Sequence, residues 1–120
     1  MDEASLSTIA HVALARAELT RPVDPERLIH RLWGVGCVHE IAVEGSDPQP
    51  FVYAVGGRWR VDLPTSLRGR ARRRALARAC AFILLAERDE DTTRTGALAV
   101  LLLSSPLLVR LRSVGRTAAA

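Results

Sequence analysis

Apolar residues recur at helical spacing through the middle of the chain, between residues 65 and 88. Four of them form one continuous stripe, namely Leu76, Cys80, Ile83 and Leu84. The first half of the segment is basic and must be solvated or bound to an acidic partner, since it carries Arg68, Arg70, Arg72, Arg73 and Arg74. The pattern predicts one long helix, capped by Thr65 or Ser66, whose second half is buried.

Two shorter helices are predicted before this segment. Residues 4–18 have an amphipathic pattern whose apolar positions are Ile9, Val12 and Leu14. A second helix is indicated by Asp24 as N-cap, Pro25 at the first helical position and Gly34 at the end. Its buried face is expected to hold Leu28, Ile29, Leu32 and Trp33.

The C-terminal part of the chain is predicted to be helical as well. An acidic turn at residues 87–91 precedes Thr92 and Thr93, either of which can cap a helix over residues 96–103. Pro106 is expected to begin a short final helix, and the last residues to form a frayed tail. The apolar run over residues 97–109 is too short and too interrupted for a membrane span, which needs about 20 apolar residues.

Three strands are predicted between the second and the long helix. Residues 36–43 and 51–55 are rich in β-branched or aromatic side chains, and residues 58–63 alternate between apolar and polar positions. Gly56-Gly57 is typical of a two-residue hairpin turn with positive φ. We therefore predict an α+β fold with a three-stranded, mostly antiparallel sheet that is covered on one face only.

Composition narrows the setting of the protein. The chain has 120 residues and a net charge of +4, and all 17 of its basic residues are arginines. Because arginine in place of lysine is typical of a GC-rich genome, the positive charge alone is weak evidence for nucleic-acid binding. Its two cysteines form neither a disulfide framework nor a CxxC motif. A single domain is predicted, and with no signal peptide in the sequence a reducing cytoplasm is the expected location.

The strand, turn and helix over residues 57–85 resemble the ImmA/IrrE-type metallopeptidases, a family of small zincin domains. Residues 57–67, GRWRVDLPTSL, are similar to the family's strand and turn GRWRIVLNSSL, and Leu76-Ala77 falls where the family has Leu-Ala before its HExxH motif. The resemblance covers residues 22–106. It implies a zincin-like core there, with an N-terminal helix and linker at residues 1–21 and a C-terminal helix and tail at residues 107–120.

The residues that carry the family's chemistry are replaced in this chain. Arg78, Ala79 and Phe82 occupy the positions of the two histidines and the glutamate of HExxH, and Arg94 or Thr92 the region of the third zinc ligand. Arginine cannot ligate a cation, alanine cannot act as a base, and phenylalanine has no lone pair. Cys80 lies about 200° around the helix from the first of these positions and replaces neither ligand.

These replacements predict a scaffold without zinc or another cofactor. Phe82 is expected to fill the volume of the second histidine and the metal by packing on Leu98 or Leu102. Arg78 is expected to turn outward, or to pair with a carboxylate of Asp89, Glu90 or Asp91, because an unpaired buried charge is costly.

The resemblance implies a catalytically inactive module that binds a regulatory protein, such as a helix-turn-helix repressor, in a bacterial or phage cytoplasm. Two alternatives stay open. One is a zinc peptidase with a rearranged site built from His11, His30, His39 or Cys37, which needs at least three clustered ligands. The other is nucleic-acid binding by the basic helix start, where Arg70, Arg74 and Arg78 share one face.

Overall fold

A computed structural model describes residues 2–43, 45 and 48–103. The four α-helices of this part are α1 (Glu3–Ala17), α2 (Pro25–Trp33), α3 (Gly69–Glu87) and α4 (Thr95–Leu103). The three strands are β1 (Val38–Ile41), β2 (Phe51–Val55) and β3 (Arg58–Pro64). Short 3-10 helices, Val35–Cys37 and Thr92–Arg94, precede β1 and α4. The predicted α+β class is confirmed.

The sheet is mixed, with the strand order β1-β3-β2. β2 pairs with β3 in antiparallel fashion across the Gly56-Gly57 turn, whose two glycines have the expected positive φ. β1 is parallel to β3, with Val38 opposite Val61. The prediction of a mostly antiparallel sheet is therefore wrong for one of the two pairings. The chain between β1 and β2 is long enough to cross from one edge of the sheet to the other, so that both strands flank β3.

Helix α3 is the centre of the hydrophobic core. Its predicted stripe is confirmed, since all four residues, Leu76, Cys80, Ile83 and Leu84, are at most 1% exposed. Val61 and Leu63 of β3 are fully buried in the same cluster, and α4 contributes Leu98 and Leu102. This core packs α3 against the sheet and α4. The side chains of α3 that are not part of the core therefore face neighbouring elements, the space beside β2 or the solvent.

The N-terminal helices follow their predicted boundaries closely. The Asp24 side chain accepts a hydrogen bond from the Glu26 amide, and α2 ends at Gly34 with φ of 101°. In α1 the Asp2 carboxylate caps the helix by accepting from the Ser5 amide at 2.8 Å. Val12 was expected on the buried face but is 41% exposed, because the small residues Ala10 and Ala13 form the packed surface instead.

The predicted N-caps of the two later helices are wrong. The Thr65 amide donates to the Ile41 carbonyl at 2.9 Å, so that residue continues the sheet, and α3 begins only at Gly69 without a side-chain cap. Before α4 it is Asp91 that caps, by accepting from the Thr93 amide in the 3-10 helix. Thr65 lies too far before the first residue of α3 to cap it, and Thr92 and Thr93 are themselves part of the 3-10 helix that precedes α4.

The final helix predicted from Pro106, and the tail, lie outside the described residues. Within the described part, every helix is too short or too polar to cross a membrane.

Candidate functional site

A groove of about 220 Å³ lies where β2, α3 and α4 meet. The polypeptide leading into β2 provides one wall, α3 provides the floor and a second wall, and the first residue of α4 provides the far rim. Its lining residues are Gln49, Pro50, Val52, Arg78, Ala79, Phe82 and Thr95. All three α3 residues in this set are those that the resemblance aligns with the HExxH motif.

The three α3 residues differ in exposure because they lie at different angles around the helix. Ala79 is 2% exposed and forms the floor, whereas Arg78 is exposed and Phe82 is half-buried. The prediction that Arg78 turns outward is confirmed, and it makes no ion pair with the acidic turn among the described residues. Phe82 is half-buried and lines the groove, and its packing on Leu98 or Leu102 stays a prediction.

In the region aligned with the third zinc ligand, the residue that lines the groove is Thr95, and not Thr92 or Arg94 as the alignment suggested. Thr92 is exposed and Arg94 is half-buried in the 3-10 helix, while Thr95 lines the groove. The Thr95 hydroxyl donates to the Thr92 carbonyl at 2.6 Å, which fixes its orientation. The Nε atom of Arg94 is buried and has no acceptor within the described residues.

The side chains that line the groove include few kinds of functional group. It consists of a guanidinium, a carboxamide, a hydroxyl and hydrocarbon groups. General acid–base catalysis near neutral pH needs a group such as an imidazole or a carboxyl. No such group, and no thiol, lines the groove within the described residues. The arrangement can therefore hold an apolar side chain and donate hydrogen bonds, but its lining offers no base.

The histidines and cysteines considered for a rearranged metal site are not brought together. His11 is exposed on α1, His30 lies on α2 and His39 on β1, while Cys37 is buried ahead of β1. In the described ranges there is no group of three or more His, Cys, Asp or Glu residues that could hold a metal ion. This leaves the rearranged peptidase without a visible ligand set in the part of the chain that the structure describes.

Both cysteines are buried and free. Burial raises the pKa of the Cys80 thiol well above its usual range, and burial likewise raises the pKa of Cys37. Both thiols are therefore protonated at neutral pH, and neither is activated as a nucleophile.

A thiol-titration experiment tests this assignment. In the folded protein at pH 8 we expect neither cysteine to react with an aromatic disulfide reagent, because both are protonated and shielded from solvent. After unfolding in guanidinium chloride, both should react rapidly. One fast-reacting thiol in the folded protein would contradict the burial of these residues.

The basic start of α3 separates into two sets of arginines. Arg72 forms ion pairs with Glu26 of α2 at 2.8 Å and Glu40 of β1 at 3.0 Å, and the hydrogen bond that it donates to Glu26 is the main reason that its pKa is raised. Arg73 donates to the Val23 carbonyl at 2.9 Å. These two side chains join α3 to neighbouring elements and are structural.

The second set is exposed and consists of Arg68, Arg70, Arg74 and Arg78. None of the four guanidinium groups has an ion-pair or hydrogen-bond partner among the residues that the structure covers. The sequence could not separate the two sets, because the carboxylates that pair with Arg72 are distant along the chain. The solvated face expected for the run is thus confirmed for Arg68, Arg70 and Arg74, and Arg78 extends it along the helix.

Sequence reasoning missed the residues that complete the groove on the side of the sheet. Gln49, Pro50 and Val52 carry no recognised motif, and they reach the groove only because β2 lies at the edge of the sheet. Comparison of the chain with protein-family models, curated proteins and solved structures found no match.

Proposed function

We propose that this protein is a catalytically inactive, ImmA/IrrE-like domain that binds an extended segment of another protein in the groove between β2 and α3. The observation that supports the proposal most directly is the position of the three residues aligned with the catalytic motif. The three residues that the resemblance aligns with the catalytic motif line one open groove together with residues next to an edge strand. A substrate cleft without its metal ligands is suited to holding a peptide and not to cleaving it.

The edge of β2 gives the proposed binding mode its hydrogen bonds. β2 pairs with β3 on one side, and no strand pairs with its other side among the described residues. Exposed edges of this kind accept an extended peptide as an additional strand, with main-chain hydrogen bonds supplying affinity and pockets supplying specificity.

Apolar surface beside this edge supports the same mode. Phe51 and Val55 are 65% and 53% exposed, and the Phe51 and Tyr53 rings lie 5.5 Å apart on the sheet face turned away from α3. An added strand would cover part of both faces, since its side chains alternate between them. One set would enter the groove beside Phe82, and the other would contact the Phe51 and Tyr53 pair.

The peptidase alternative has less support. It requires a base and a metal ligand set, and neither is formed by the residues that line the groove. The partner implied by the resemblance is a regulatory protein such as a helix-turn-helix repressor of a phage or mobile element. That identity rests on the resemblance alone, and the geometry of the groove bears only on the form in which a partner would bind.

A peptide selection followed by NMR mapping tests the proposal. Peptides selected from a random library on the whole protein should shift the backbone amides of β2 and of α3 around Arg78 and Phe82. They should bind more weakly to Phe82→Ala, whereas Val35→Ala, a substitution of an exposed apolar residue outside the groove, should have no effect. Prolonged incubation with zinc should leave the peptides intact. Cleavage, or shifts confined to α1, would overturn the proposal.

A further inference from the structure

The exposed arginines of α3 and the groove belong to one continuous stripe. Arg70, Arg74, Arg78 and Phe82 follow one another at intervals of four residues. Each interval advances about 6 Å along the helix and turns about 40° around it. The stripe therefore slants from the solvent-exposed side of α3 into the groove, which agrees with three exposed arginines followed by a half-buried aromatic ring.

We infer that the segment bound by this protein is acidic at alternate positions and carries an apolar residue at the end that enters the groove. This inference rests on the proposed function and specifies the partner's chemistry. In an extended chain, side chains on one face repeat at about 6.6–6.8 Å. That repeat matches the spacing of the arginines, so carboxylates at every second residue meet Arg70, Arg74 and Arg78 while the next such side chain meets Phe82.

Charge on the helix supports an acidic occupant. Like charges four residues apart destabilise a helix, and no carboxylate of the described residues offsets the charges of these three arginines. Arg72, by contrast, lies between them in sequence and is held by two glutamates. An acidic peptide would provide the missing counter-charges at the positions where this chain has none.

A peptide fits the distribution of charge better than a nucleic acid does. The basic stripe is followed, at the end of α3 and in the turn after it, by the exposed acidic residues Glu87, Asp89, Glu90 and Asp91, which outnumber the one exposed arginine among them, Arg88. A phosphate backbone that continued past Phe82 would approach this acidic turn and be repelled by it. A segment whose charge stops at an apolar anchor avoids that repulsion.

The groove also has the size of a side-chain pocket. Its volume of about 220 Å³ is below the range of about 300–1,000 Å³ found for sites that take whole small molecules. Phe82, Val52 and Pro50 provide an apolar surface for one aliphatic or aromatic residue, and aromatic anchors of this kind supply much of the affinity of peptide interfaces.

The inference is tested with synthetic peptides and the whole protein. The probe has glutamates at three alternate positions followed, two residues later, by phenylalanine, with serine between them, and it is made in both chain directions. Matched peptides carry glutamine for each glutamate or alanine for the phenylalanine. The better-binding direction of the glutamate peptide should bind about tenfold more tightly than its glutamine counterpart, since exposed ion pairs each contribute modestly. This difference should shrink as salt is added.

Variants of the protein distinguish binding by the arginine stripe from attraction by the net positive charge of the protein. The combined substitution Arg70→Gln, Arg74→Gln and Arg78→Gln should remove the preference for glutamate. The control combination Arg16→Gln, Arg27→Gln and Arg31→Gln has the same net charge and changes exposed residues of α1 and α2, so it should keep the preference. Equal loss in both combinations would show that net charge alone attracts the peptide and would overturn the inference.

The remaining outcomes distinguish this inference from the proposed function. If library-selected peptides bind in the groove but the glutamate and glutamine probes bind equally, the inference is wrong while the proposed function stands. If no peptide shifts the groove amides, both are wrong. Tighter binding of a short oligothymidylate than of the glutamate peptide, lost with the same three arginines, would assign the stripe to nucleic acid and overturn the inference.

Discussion

Replacing Leu84 by alanine should lower the free energy of unfolding by about 3 kcal/mol, as expected for a fully buried leucine in a core that cannot collapse around the cavity. Leu84 is 0% exposed and lies on the face of α3 turned into the cluster that also contains Val61 and Leu98. Small domains have a total stability of only about 5–15 kcal/mol, so the variant should unfold at much lower urea concentration. Chemical denaturation followed by circular dichroism measures the effect.

Phe82→Ala is the matched comparison for Leu84→Ala. Phe82 lies on the same helix, two residues earlier, but its ring is only half-buried because it forms a wall of the groove. We expect a loss of about 1 kcal/mol, below the 3–5 kcal/mol typical of a buried phenylalanine. A loss as large as that of Leu84→Ala would place Phe82 in the core, close the groove and remove the basis of the proposed binding site.

Replacing Gly34 by alanine should lower the free energy of unfolding by about 2 kcal/mol because of backbone strain. Gly34 ends α2 with φ of 101° and ψ of 156°, a region that is almost exclusive to glycine. No atom within 4 Å would obstruct an added Cβ, so the cost arises from the backbone and not from crowding. The same denaturation experiment measures it.

Gly36→Ala is the control for that substitution. Gly36 lies two residues further along, has no positive φ, and likewise has nothing within 4 Å of an added Cβ. Alanine there should be neutral or slightly stabilising, since it restricts the unfolded chain. If both substitutions cost the same, the chain does not turn at Gly34 in the way described, and the entry into β1 would have to follow another path.

Local signals in the sequence determined the helices and the hairpin. The four apolar residues of the α3 stripe, the Asp24-Pro25 start of α2 and the Gly56-Gly57 turn each act through neighbours within a few residues, and each was found where predicted. Periodicity and capping are properties of short segments, so the printed sequence contains the information needed to place them.

The predicted ends of helices and strands were less accurate where a hydrogen bond between distant residues extends an element. Thr65 has the side chain of an N-cap, but its amide donates to the Ile41 carbonyl of β1 and extends the sheet, and α3 begins only at Gly69. The parallel pairing of β1 with β3 could not be predicted for a similar reason. No residue close to either strand in sequence specifies which side of β3 is joined by β1. Such choices depend on contacts between distant residues, which local patterns do not encode.

The groove was decided almost wholly by tertiary structure. Sequence singled out Arg78, Ala79 and Phe82, but Gln49, Pro50, Val52 and Thr95 join them only after β2 has paired with β3 and α4 has packed on α3. The same holds for the arginines. The sequence contains a basic run, and only the fold distinguishes Arg72, paired with carboxylates from α2 and β1, from the exposed stripe beside it. Side chains that are distant along the chain become neighbours through packing, and packing determines which charges are already paired and which are left for a partner.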